Sequence, residues 1–427
     1  KDDVVPHAVS GASPVGRLAA ATSATSVTLA IVLVGACTAS SPEQDAADQA
    51  GLSDLPQPTV VASASTPDPL PPPEVAEATA PALARDEPAW KAPFDDVPIP
   101  AEEMLVGLIF PTDEQSDVSV IGVDPSGSTR WTVRTNPSCI GYGVTEVDGH
   151  MAAVVLASDA DNRNGKVASV TTANAYDVTD GTRLWGPAPV PGPLQGPGLI
   201  FGEVEATVVG GDSGPKQMLA ASTGEPVEPP TDGAVPVYEH HGVGLFGHDG
   251  VLTAVDTASG RALWSSGEID APSGWFPEDG TAELLESTLA SDEGVVAVRW
   301  SSGGDERTSL HHLRTGELVA ELGDETEFRT VVDHGSHTVV VSGLDGFRVT
   351  RAYDLGSRTL RWDNSGEDSL LEITVVRSGV GYGTEGGVSV AVDLASGRRL
   401  EQGDQPVPVA VSDAGALVTA LPQDPGS

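Results

Sequence analysis

From Ala101 onward, apolar and polar residues alternate in short runs broken by turn residues. Examples are MLVGLIF (104–110), VSVIGVD (118–124), GVVAVRW (294–300), HTVVVSG (337–343) and LEITVVRSG (371–379). A period near two over such lengths predicts half-buried β-strands, and no stretch holds the 3.6-residue period of a long amphipathic helix. The clearest unit is Leu252–Trp264, LTAVDTASGRALW. It predicts two strands around a tight turn, with Leu252, Ala254 and Asp256 on one side and Thr253 and Val255 on the other. Asp256 at the turn entry can accept backbone N–H bonds, and Gly260 can take positive φ.

The unit recurs in the frame Asp, three residues, Gly, three residues, Trp. Asp177, Gly181 and Trp185 fit it, as do Asp256, Gly260 and Trp264; Asp124, Gly127 and Trp131 fit with one turn residue fewer. Asp354 and Trp362 keep the ends, with Arg358 in the Gly place, while Asp393 and Gly397 keep the turn, with Glu401 in the Trp place. Gly316 and Gly224 mark weaker copies led by His312 and Ala220. The mean step is roughly 45 residues, the length of a four-stranded blade. Recurrence of Gly and Trp in phase argues against unrelated hairpins in a sandwich.

The pattern x-V-x-x-hydrophobic-D-x-x-[ST]-G-x-x-L-W resembles the repeat of the pyrroloquinoline-quinone-type (PQQ-like) β-propellers. GPLQGPGLIFGE (192–203) is similar to that family's inter-blade strand. The resemblance covers roughly residues 101–422 and implies an all-β propeller of four-stranded blades, seven of them, or eight. The family includes quinone-dependent dehydrogenases, the propeller lipoprotein of the outer-membrane barrel-assembly machinery, and other bacterial lipoproteins. Its enzymes hold quinone with a vicinal cysteine pair, a calcium ion and a catalytic Asp. No Cys-Cys pair occurs in this sequence, so no cofactor is expected. The terminal strands in 407–422 are expected to complete the blade begun by residues 104–131, removing a sheet edge.

The N-terminal region departs from the strand pattern. Leu18 to Cys37 is uncharged, and its most apolar part, VTLAIVLVGA (27–36), has the length of a signal-peptide core rather than of a membrane span. It ends in Val34-Gly35-Ala36-Cys37, which resembles a bacterial lipobox with Val where Leu is usual. We therefore expect a signal peptide over 1–36 and lipidation of Cys37, which places the chain on the outer face of the plasma membrane. Residues 37–100 are rich in Pro, Ala, Ser and acids. They read as a disordered tether of about 60 residues with a mean reach of roughly 45 Å. The propeller is assigned to 101–423, about 320 residues and enough for one large core.

Charge narrows the partners. With 62 acidic against 22 basic residues the net charge is −40, which repels phosphate backbones and excludes nucleic acid as a ligand. Of the two cysteines, lipidation of Cys37 leaves Cys139 as a single thiol.

Candidate chemistry is sparse. DADNRNGK (159–166) approaches a calcium loop, but Ala160 takes the leading ligand place. His240-His241 and His311-His312 are neighbours that a strand would point to opposite faces, and His334 and His337 lack a third ligand pattern. GDSG (211–214) sits among propeller strands, and no G-x-S-x-G elbow exists. The expectation is thus no catalytic, metal or cofactor residue. The chain reads as a membrane-anchored, non-catalytic binding or scaffolding propeller for a protein or cell-wall ligand. The alternative is a propeller enzyme: a quinone-dependent oxidoreductase, or one acting on sugars or wall polymer.

Overall fold

The computed structural model describes residues 55–61, 83, 93–111, 117–136, 141–160, 166, 168–203, 214–273, 275, 280–285, 289–366, 370–415 and 417–419. The signal segment, Cys37, Cys139 and most of the calcium-like loop lie outside them.

The alternating runs form successive antiparallel meanders. The first sheet contains Thr59–Val61 (β1), Ile99–Ala101 (β2), Met104–Ile109 (β3), Val118–Val123 (β4) and Thr129–Thr135 (β5). The second contains Tyr142–Val147 (β6), His150–Ser158 (β7), Thr171–Asp177 (β8) and Arg183–Val190 (β9). The third contains, among the described residues, Ile200–Gly202 (β10) and Lys216–Met218 (β11). The fourth runs Val235–His240 (β12), Val243–His248 (β13), Val251–Asp256 (β14) and Arg261–Ser265 (β15). The fifth runs Thr281–Leu284 (β16), Val295–Ser302 (β17), Asp305–His312 (β18) and Leu318–Gly323 (β19). The sixth is Arg329–Asp333 (β20), Thr338–Gly343 (β21), Val349–Asp354 (β22) and Leu360–Asp363 (β23). The seventh is Leu371–Arg377 (β24), Val380–Glu385 (β25), Val388–Asp393 (β26) and Arg399–Gly403 (β27), and the last is Pro408–Val411 (β28) with Leu417–Thr419 (β29).

Buried clusters join each sheet to the next in chain order. Val106 and Trp131 pack with Ala153 and Tyr176, and Leu156 and Trp185 pack with Phe201 and Leu219. Met218 meets Phe246, Leu245 meets Val296, and Leu310 meets Val339. Val340 meets Ile373, and Tyr382 meets Val411. Ala410 of the last sheet returns to Leu105 and Ile121 of the first. Closed contact of this kind is what a propeller requires.

Two expectations are corrected. Among the described residues the propeller has six four-stranded blades, the first extended by a fifth strand, and not seven or eight. The copy at Ala220–Gly224 fails to make a blade because β10 and β11 have three residues each. Their would-be outer neighbours reach only the single bridges Leu194–Phe201 and Leu219–Pro226. Pro226 lacks the N–H that a longer ladder would use. Second, β28 pairs with β29 and does not extend the first sheet. Closure comes instead from side-chain packing and from Asp413 N–H donating to Glu102 O at 2.8 Å. The first blade is completed from its own side by β2, and β1, which lies within the segment expected to be a tether, adds a fifth strand on β5.

The recurring Trp and Gly serve sheet-to-sheet packing. Trp131, Trp185, Trp264 and Trp362 each donate Nε1–H to a carbonyl of the following sheet: Val178, Ala221, Leu313 and Leu394, at 2.6–2.8 Å. Each ring lies against that sheet's turn glycine. A Cβ added to Gly181, Gly224, Gly316 or Gly397 would stand 2.4–2.9 Å from the preceding Trp. Where no Trp precedes, the glycine is released. Nothing lies within 4 Å of a Cβ on Gly260, whose preceding sheet has Glu228 in the Trp place. Arg358 replaces Gly where Ala320 stands in that place, and it keeps φ at 58°.

Candidate functional site

In each full meander, the first–second and third–fourth hairpins emerge at the same end. The inner hairpins are mostly two-residue turns whose second residue is glycine: Asp148-Gly149 (φ 51° and 82°), His241-Gly242 (42° and 77°), Glu293-Gly294 (37° and 84°) and Ser378-Gly379 (51° and 81°). Positive φ at both positions is the type I′ signature that suits strand twist. The residue before each glycine is therefore presented at one end of the ring, here called the turn face. The outer turns of the full sheets lie there too, five led by an Asp and that of the fifth sheet by His312. Asp256, Asp354 and Asp393 each accept from the Oγ and the backbone N–H of a serine three residues on, and that bonding holds their carboxyls below the usual range.

Side chains from several sheets meet on this face. The imidazoles of His240 and His241 stack with centroids 3.7 Å apart. His241 Nδ1 lies 3.7 Å from Glu146 Oε2 of the second sheet. His334 Nε2 lies 3.0 Å from Glu293 O and 3.5 Å from Glu293 Oε2. Arg314 spans Asp256 and the His241 carbonyl, each at 3.5 Å. Arg377 and Asp413 form an ion pair across the seventh and last sheets.

Burial sets the protonation of this cluster. It pushes His240 down to about 2, and His241, His334 and His312 add to the effect. It also lowers His241, against the opposing pull of Glu146, and lowers His312. The same cause raises Asp292, with Glu293 as a like charge beside it, against the bond from Val332 N–H to Asp292 Oδ2 at 2.8 Å. Glu293 rises less securely: its side chain is 44% exposed, and His334 and Arg377 favour its charge. The result is that burial favours the neutral form of His240, His241 and His312 and the protonated form of Asp292 and Glu293 at one end of the ring.

Glu239, 2% exposed, has a structural role. Its carboxyl accepts from Leu199 N at 2.8 Å and Gly242 N at 2.9 Å, tying the third sheet to the His241 turn. Burial outweighs those bonds and raises it to about 7.

The histidines weighed from sequence separate here. His240, His241, His312 and His334 join the cluster, the first two stacking because His241 sits in a turn and not on a strand. His311 is buried within its sheet, with Nε2 2.8 Å from Ser309 Oγ and Nδ1 3.0 Å from Gly316 O. Asp159 of the calcium-like loop is occupied by Lys166 at 2.7 Å and by Ser169. Among the described residues, no three His, Cys, Asp or Glu side chains converge where a metal ion could sit. Sequence reasoning missed Glu146, Asp292, Glu293 and Arg377. The signal was present: the x-Gly dipeptide that ends the first hairpin in VDGH, HHG, DEG and RSG places its neighbours on one face.

A second concavity of about 540 Å³ lies among the third, fourth and fifth sheets, with Pro197, Tyr238, His248, Leu252, Glu283 and Leu284 in its walls.

No protein-family model and no curated protein matches the chain. Among solved structures, the computationally designed Ika8 protein is 14% identical with a TM-score of 0.36, over 77% of this chain and 93% of that one. BamB from Moraxella catarrhalis is 16% identical with a TM-score of 0.34, over 82% and 90%. A chain of the mitotic checkpoint complex is 11% identical with a TM-score of 0.29, over 63% and 68%. Likenesses this low carry no argument about this chain; its sheet order and inter-sheet packing do.

Proposed function

We propose that this protein is an extracytoplasmic lipoprotein, anchored through Cys37, whose propeller binds a protein or cell-envelope ligand without catalysing a reaction on it. The ring supplies a rigid platform, and the turn face supplies recognition. The observation that carries this reading is the convergence of Glu146, His241, His334, Glu293 and Arg377 from separate sheets onto that face. These residues stand outside the Asp–Gly–Trp repeat positions. The His241 imidazole, which burial keeps towards its neutral form, and the paired Arg377 suit hydrogen-bonded recognition of a polar partner.

The same proton-holding groups favour the second reading, an enzyme acting on sugars or wall polymer. One experiment separates the two. The full chain is expressed in a lipoprotein-processing bacterium, its N-terminal peptide is weighed, and co-purifying proteins and small molecules are identified after mild cross-linking. Diacylglyceryl mass on Cys37 with a reproducible protein or wall partner supports the binding reading. Turnover of a co-purifying sugar, with no partner, moves the case to the enzyme.

A further inference from the structure

The segment joining Cys37 to the ring is tied down before it reaches the first full blade. Thr59, Val60 and Val61 pair antiparallel with Arg134, Val133 and Thr132 on the outer strand β5. Just upstream, Thr172 Oγ1 donates to Pro56 O at 2.7 Å, and Arg183 Nη1 donates to Gln57 Oε1 at 2.5 Å. Leu55–Val61 thus lies along the junction of the first and second sheets at the rim. The four strands β2–β5 already make a complete blade, so β1 adds nothing that blade closure needs.

This attachment limits how the ring can sit relative to an anchored Cys37. About 18 residues separate Cys37 from Leu55, and at no more than 3.6 Å each they span at most about 65 Å, against about 230 Å if the chain were free to Ala101. The limit applies at one point of the rim. Charge agrees with that placement. The outer strands β5 and β9 and the added β1 carry Arg130, Arg134 and Arg183 and no carboxylate, within a chain of net charge −40. Arg130 keeps 54% of its side chain exposed, although it lies 3.7 Å from Asp124. The turn face, by contrast, presents Glu102, Glu146, Glu293 and Asp413, which anionic headgroups repel.

We propose that Leu55–Val61 is a strap that fixes where the anchored end leaves the ring, so that the rim of the first and second sheets faces the membrane and meets its anionic headgroups. This rests on the lipid anchor proposed above. It leaves the turn face open to the side for a partner.

The test places one dye on the same turn position at two points of the ring. In a Cys139→Ser background, Ser126→Cys labels the first sheet and Ser357→Cys labels the sixth, on the far side. The lipid-modified full chain is reconstituted into vesicles of phosphatidylcholine and phosphatidylglycerol that carry a lipid-bound quencher. Quenching is expected to be at least twofold stronger at 126 than at 357. The triple variant Thr59→Gly, Val60→Gly, Val61→Gly is expected to abolish that difference while its circular dichroism stays unchanged. Equal quenching at both positions, with lipid present on Cys37 by mass, overturns the orientation and leaves the anchor standing. A difference that survives the triple variant overturns the strap. Absence of lipid on Cys37 overturns the anchor and the inference with it.

Discussion

At the scale of single residues, the Trp–Gly contacts separate two reasons for a glycine that sequence alone merges. Gly260 and Gly397 have similar φ, 67° and 72°, but only Gly397 lies against a Trp, with an added Cβ 2.8 Å from Trp362 Cδ2. Gly260→Ala is expected to cost about 1 kcal/mol, the left-handed term alone. Gly397→Ala is expected to cost a further 1–3 kcal/mol or so, because the indole must move within a packed interface. Urea unfolding of both variants checks this, and equal costs would remove the packing argument. Glu239 gives a pH signature. Its folded value of about 7 lies above the ordinary 4.5, so the native state holds a proton between those values that the unfolded chain releases. Its contribution is fully present below pH 4.5 and is lost as pH rises through 7. His240 acts oppositely: lowered to about 2 from 6.5, it costs stability as pH falls below 6.5. Glu239→Gln is expected to flatten the decline in stability between pH 5 and 8 by about 3 kcal/mol at most, measured by urea midpoints across that range. An unchanged slope would show that the burial of Glu239 is not what drives it.

At the scale of elements, strands were legible where turns were regular. Asp177–Trp185 and Asp256–Trp264 mark full four-stranded sheets because Asp, Gly and Trp each have a local or nearest-neighbour duty. The third sheet was misread because Gly224 still packs on Trp185, so the turn signal survives although the strands around it shorten to three residues. Strand β1 was hidden for the opposite reason: Thr59-Val60-Val61 is too short to register among prolines, and only the exposed edge of β5 makes it a strand. The turn-face cluster was half legible. Its histidines stood out as pairs, but their carboxylate partners come from other sheets, and no local pattern reveals a contact between residues such as Glu146 and His241. Element stability should follow length. In native-state hydrogen exchange, β10 and β11 are expected to exchange at lower protection than β13 and β14, whose six-residue ladder is central. The reverse order would mean that the third sheet is held by more than its two short strands and buried clusters.

At the scale of the whole molecule, the fold class was readable from the repeat, while the number of full blades was not. A repeat count registers turns, and seven turns yield six full meanders because the copy at Ala220–Gly224 keeps only paired strands. Ring closure was expected through an added strand and is achieved through packing of Ala410 on Leu105 and Ile121, a contact that the sequence separation of those residues conceals. The acidic composition argues against a nucleic-acid ligand but does not say where charge gathers. The ring does, by gathering inner-turn side chains at one end. The account therefore turns on that end being the surface used. Photo-cross-linking residues placed at His241 and Asp413 on the turn face, and at Asp249 and Asp305 at the opposite hairpins, test it in living cells. The same protein or wall fragment is expected to be captured from the first two sites and not from the second two. Capture from Asp249 and Asp305 alone would contradict the account, because the platform would then be used from its other side.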